Sequence, residues 1–205
     1  PLVYGINGNE WNGVLQQAHK LRKEQKDTVD AIVIFAGTND FFANVPLGEW
    51  YTDPICKKPR VADTQLEYSR KYRMPLLKDD TFKGRINRVL HFLKTNYPDK
   101  QVILLTPLHR AQARFSSENV QPDEGFANQI GVYIDEYVQA VKEAGNVWGV
   151  PVIDFNAVTG LNPMVEEQLI YFYDAGYDRL HPSTKGQIRM ARTLMYQLLA
   201  LPATF

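Results

Sequence analysis

One stretch of the sequence combines residue types and spacing suited to acid–base chemistry: Asp178-Arg-Leu-His181-Pro-Ser-Thr-Lys-Gly186. Asp178 and His181 are three residues apart, just before a segment with helical character. On a tight turn that spacing brings a carboxylate to one imidazole nitrogen. The carboxylate then fixes the tautomer and stabilises the imidazolium, leaving the other ring nitrogen as a general base. The plainer reading is an exposed aspartate and a helix-capping histidine. Two further stretches each follow an apolar run. In Gly37-Thr-Asn39-Asp40, an asparagine at a strand end can donate its amide to a developing oxyanion. The same residue types also make an ordinary turn. In Gly5-Ile-Asn-Gly8-Asn9, Gly8 permits close backbone approach and presents an N–H, or it serves only a positive backbone angle. No phosphate-loop spacing accompanies it.

His109 and Arg110 follow Thr106-Pro107 at the end of an apolar run. They are expected to face the crevice side and either contact substrate or support the residues that do. His19 and His91 lie inside helical patterns and read as structural or surface histidines. Glu166 and Glu167 have no second acidic cluster, so they make neither a metal site nor a glycosidase pair. The serines are Ser69, Ser116, Ser117 and Ser183, and each reads as an ordinary loop or cap residue.

These residues need elements to position them. Ala31–Phe35, Val102–Leu105 and Val150–Phe155 are short apolar runs rich in β-branched residues, the pattern of buried parallel strands. Leu2–Tyr4 is a shorter fourth candidate. Helical stripes run through Trp11, Val14, Leu15, Ala18 and Leu21, through Phe82, Ile86, Val89, Leu90, Leu93 and Tyr97, and through Ile130, Ile134, Tyr137, Val138 and Val141. A last helix carries Ile188, Ala191, Leu194 and Leu198 and starts near a cap at Ser183 or Thr184. Alternating strands and helices imply a parallel sheet covered on both faces, with ligands bound outside the carboxyl ends of the strands. Residues 41–80 and 108–123 are long connections on that side.

A chain of 205 residues, 44% hydrophobic and 22% charged, fits one ordinary globular domain. The formal net charge is zero, which gives no electrostatic ground for a nucleic-acid partner. The basic runs Lys57-Lys58-Pro59-Arg60 and Arg70-Lys71-Tyr72-Arg73 are flanked by acidic residues and read as a solvated face. No apolar run is long enough to span a bilayer. The lone Cys56 forms no internal disulfide.

Taken together and in this order, Ile-Asn-Gly8, Gly37-Thr-Asn39-Asp40 and Asp178-Arg-Leu-His181-Pro resemble three of the four sequence blocks of the SGNH (GDSL-like) hydrolases. The resemblance implies a flavodoxin-like three-layer α/β/α fold with a parallel sheet, a serine-type ester hydrolase, and no metal or cofactor. By it His181 is the base, Asp178 its orienter, and the Gly8 N–H and Asn39 amide are oxyanion donors. The family's Gly-Asp-Ser block, which carries the nucleophile and the third donor, does not occur in this sequence. In the strand order 2-1-3-4-5 that block lies on the central strand. An upstream segment of one strand and one helix, about 25–30 residues or more, is therefore expected. The expected substrate is a small acyl ester, acetyl on a carbohydrate foremost, with aromatic residues of 41–80 suited to a sugar face. Lipid or lysophospholipid esters, a non-catalytic binding module on the same fold, and a flavin-binding protein are the alternatives. A polysaccharide esterase would act in a secreted or periplasmic place.

Overall fold

The computed structural model describes residues 1–61, 64–65 and 68–202. Its centre is a parallel sheet of three strands, β1 (Ala31–Phe35), β6 (Gln101–Leu105) and β9 (Val152–Ile153), in the order β1-β6-β9. The central strand β6 is buried on both faces, as its unbroken apolar run requires. Val102 and Leu104 face a layer of three helices: α1 (Trp11–Gln25), α3 (Phe82–Asn96) and α4 (Ile134–Trp148). Ile103 and Leu105 face α6 (Thr184–Leu198), whose Met190, Leu194 and Leu198 pack on them. This is a three-layer α/β/α arrangement.

The layer beneath α6 is only half covered. Val33 and Phe35 pair in register with Ile103 and Leu105, so they point to the same face. They remain 45% and 48% exposed. On α6 and its C-cap, Ile188, Met195 and Leu199 form a second apolar stripe that is also exposed. The outer edge of β1 pairs with no described strand.

The expected strand at Leu2–Tyr4 is not one. Leu2 and Val3 are exposed, and the segment attaches to α1 through Tyr4, whose hydroxyl donates to Glu24 at 2.9 Å. Its neighbour in the 2-1-3 order would be a strand between it and β1, and none of the described strands lies there. The Val150–Phe155 run is also shorter as a strand than its composition suggests. Pro151 precedes β9, and a short helix, α5 (Phe155–Val158), ends it. Ile130 lies ahead of α4 rather than within it.

Residues 41–80 build structure of their own. After the short helix α2 (Thr38–Phe42), the strands β2 (Ile55–Lys57) and β5 (Arg70–Tyr72) form an antiparallel ribbon, with β3 (Arg60–Val61) paired to β4 (Thr64–Gln65). Lys57 lies over the Tyr72 ring and Arg70 over Tyr68, at 4.6 and 4.7 Å from the ring centroids. The base of the ribbon is locked by Asn87, which donates to the Trp50 carbonyl and accepts from the Trp148 indole, both at 2.8 Å. A second, antiparallel sheet has the order β10-β11-β7-β8: β10 is Phe172–Asp174, β11 Asp178–Pro182, β7 Ala113–Arg114 and β8 Val120–Gln121. Among the described residues no helix is long and apolar enough to cross a membrane.

A buried charge cluster ties the helical layer to the carboxyl end of β1. Asp40, wholly buried, accepts from Arg85 at 2.8 Å and from the Trp11 N–H at 3.0 Å, while Arg85 also pairs with Glu10 at 2.6 Å. Burial pushes the Asp40 carboxyl up to about 6 despite Arg85 beside it. A carboxyl raised on folding holds its proton more tightly in the folded chain. Its burial therefore costs stability above that value, and the cost is relieved as pH falls toward the unfolded value. Arg85→Met leaves Asp40 without its cation. We expect a loss of about 3–5 kcal/mol at pH 8 and clearly less at pH 5, read from urea unfolding midpoints. Equal losses at both pH values would mean that the charge on Asp40 does not change between them.

Candidate active site

In a flat strand, side chains three residues apart point to opposite faces. In β11 the Asp178 side chain overrides this. Its Oδ1 accepts the N–H groups of Leu180 and His181 at 3.2 and 3.0 Å, curling the backbone, and its Oδ2 lies 2.9 Å from His181 Nδ1. A carboxylate can only accept, so Nδ1 carries the proton and Nε2 is the nitrogen left for proton transfer. The acid is buried and the imidazole is open, with side-chain exposures of 6% and 60%. The Phe115 ring packs on the imidazole at 5.3 Å between centroids. Pairing of Asp178 with Ala113 fixes the pair from one side. The start of α6 fixes it from the other: the Ser183 hydroxyl caps the Gly186 N–H, and a Cβ at Gly186 would collide with the Tyr171 carbonyl. The Asp-x-x-His spacing anticipated this contact. The expected tight turn is instead a curled strand.

At the end of β1, Gly37 has φ of +124°, and a Cβ there would meet Pro107 Cγ at 3.1 Å. Only glycine fits this turn comfortably, and it launches α2 so that Asn39 faces the sheet's carboxyl end. One Asn39 amide hydrogen goes to the Asn9 carbonyl at 2.9 Å, and the second remains for a ligand. Gly8, at φ of +75°, stands in the turn before α1. Its N–H makes no hydrogen bond to another described residue.

A cleft of about 690 Å³ gathers Gly8, Asn39, His109, Phe115, Asp178 and His181. Five of the six residues expected from sequence thus meet. Arg110 does not join them. It is fully buried behind the wall, its guanidinium over the Phe41 ring at 5.2 Å and donating to Gln121 Oε1 at 2.5 Å. Burial pushes its pKa down to about 10. No local sequence signal points to Glu124, whose Oε1 lies 2.8 Å from His109 Nδ1, or to Phe115 against His181.

No serine is among the described residues lining the cleft. Ser183 caps α6, Ser116 Oγ accepts the Glu118 and Asn119 N–H groups, and Ser69 and Ser117 are exposed. No described residue of 41–80 lines it either; Trp50 and Tyr51 instead pack against the main core. A second groove runs along the free edge of β1 against α1, and it shares Gly5, Val14, Gln17 and Phe35 with the cleft, so the two are continuous.

A parallel α/β/α sheet with a carboxylate–imidazole pair beside its carboxyl edge is the layout of a flavodoxin-like hydrolase. The chain belongs to the GDSL-like lipase/acylhydrolase family, whose model matches residues 1–188. No curated protein matches it. Among solved structures it is similar to a protein from Lactobacillus plantarum, at 22% identity and TM-score 0.64, over 89% of this chain and 72% of that one. It is also similar to a possible lipase from Chitinophaga pinensis, at 17% and 0.61, over 95% and 81%. A third is a catalytic mutant of an acetylxylan esterase from Geobacillus stearothermophilus, at 18% and 0.54, over 98% and 72%. At these identities the likeness concerns the fold.

Proposed function

We propose that this domain hydrolyses esters of a small acyl group, acetyl foremost, on a carbohydrate. The observation that carries the proposal is the Asp178–His181 pair at 2.9 Å, its Nε2 bonded to no other described residue, in one cleft with Gly8 and Asn39. The nucleophile in this reading is a serine on a strand seated against the free edge of β1. It belongs to a segment of the natural protein upstream of Pro1, and the helix after that strand covers Val33, Phe35 and the exposed stripe of α6. The edge of β1 that pairs with no described strand, the exposed apolar face and the continuity of groove and cleft all support that placement.

The serine hydroxyl attacks the ester carbonyl as His181 Nε2 takes its proton. The Gly8 N–H and Asn39 amide donate to the oxyanion, Asp178 balances the imidazolium, and His181 returns the proton to the leaving alcohol. Water then enters by the same route and releases the acid. The amide residues Asn7, Asn9 and Asn119 in the lining favour a polyhydroxylated alcohol over a lipid. The acetylxylan esterase built on this fold is in keeping with that choice.

A 4-nitrophenyl acyl series tests the reading. The full natural protein is expected to favour acetate over dodecanoate by at least about tenfold in kcat/KM and to release acetate from acetylated xylan. Preference for dodecanoate with no release from xylan would replace it with a lipid esterase.

A further inference from the structure

His109 of the cleft lining is half of a second carboxylate–imidazole pair. His109 Nδ1 lies 2.8 Å from Glu124 Oε1, and Glu124 Oε2 accepts the Arg110 N–H at 2.9 Å. The Glu124 N–H reaches back to the Arg110 carbonyl at 3.3 Å, so both ends of the glutamate are tied to the strand-exit loop. The imidazole is thereby fixed, with its Nε2 making no hydrogen bond to another described residue, in a side chain one-third exposed to the cleft.

We propose that His109, positioned by Glu124, binds a free hydroxyl on the alcohol half of the substrate and so selects a sugar alcohol. The assignment to the alcohol half rests on the esterase reading; the contact itself does not. A hydroxyl is the group that suits this nitrogen in both of its states. Neutral Nε2 accepts from an O–H, and protonated Nε2–H donates to the same oxygen. The hydrogen bond that Nδ1–H donates to Glu124 raises the His109 pKa from its ordinary value, which favours the protonated ring. A carboxylate ligand would meet the Glu124 charge, and an alkyl chain would strand Nε2 without a partner. The neighbouring wall is set up for the same chemistry. Gln121 Oε1 is taken by Arg110 and its Nε2 donates to Asn119 at 3.1 Å, so Arg110 acts from behind as a positioning residue for two amides of the lining.

The test is binding, which needs no turnover. The protein with 15N-labelled histidines is titrated with methyl β-xyloside and with its triacetate, which has no hydroxyl proton. The free xyloside is expected to shift His109 Nε2 and to bind more tightly than the triacetate. His109→Ala should weaken it about tenfold and His109→Gln by less. Glu124→Ala should weaken it too, while Glu124→Gln, which still accepts from Nδ1–H, restores most of the affinity. Undiminished xyloside affinity in a His109→Ala protein of unchanged melting temperature would overturn the proposal, as would the absence of xyloside binding in the parent. Xyloside binding through His109 in a protein that hydrolyses no ester would sink the esterase reading and leave this contact standing. Ester hydrolysis with sugar binding indifferent to His109 would do the reverse.

Discussion

His181→Ala is expected to lower kcat on acetyl esters by about 10⁵- to 10⁶-fold in the full natural protein. The Nε2 is the ring nitrogen that Asp178 leaves free, and no other imidazole sits beside Asn39 and Gly8 with a buried acid three residues away. Without it the nucleophile keeps its proton, and what remains is the contribution of the oxyanion donors and binding. The side chain is 60% exposed, and Asp178 keeps the Leu180 and His181 N–H groups when the imidazole is removed, so the fold should survive the change. Steady-state rates on 4-nitrophenyl acetate with a matched melting curve decide the matter. A kcat within tenfold of the parent would remove His181 from the chemistry.

Asp178→Asn is expected to cost about 10⁴-fold in kcat with little loss of stability. The Asn carbonyl can keep the Leu180 and His181 N–H bonds that now end on Oδ1. Its amide nitrogen would then face His181 Nδ1, which must accept instead of donate. That places the ring proton on Nε2, the nitrogen that should receive the nucleophile's proton. Asp178→Ala removes the backbone bonds as well and should also lose about 1–3 kcal/mol of stability. If the Asn variant is as unstable as the Ala variant, or keeps most of its activity, Asp178 has a structural role only.

The helices α1, α3 and α6 are legible because each carries its own periodicity, and the central strand β6 because its apolar run is unbroken. The Asp178–His181 contact was legible because both partners lie within four residues. What the sequence did not reveal depends on residues far apart. β11 is a strand only through its pairing with β7 and β10, and its own residues do not alternate in an apolar pattern. Leu2–Tyr4 has the composition of a strand but no ladder to join. Glu124 meets His109 across a 15-residue separation, and Asp40 meets Arg85 across 45, with no local signal at either end. Arg110 was expected in the cleft from its place after a strand. Beyond Pro107 no regular period dictates which side chain turns inward, and the guanidinium lies over Phe41 instead.

The most direct measurement is to label the full natural protein with a serine-reactive fluorophosphonate and locate the adduct by mass spectrometry, with His181→Ala as control. The expected result is one adduct on a serine of the segment that pairs with the free edge of β1, lost in the control. No adduct on the folded protein, or one confined to Ser69, Ser116, Ser117 or Ser183, would contradict the catalytic reading and leave a ligand-binding module on a hydrolase fold.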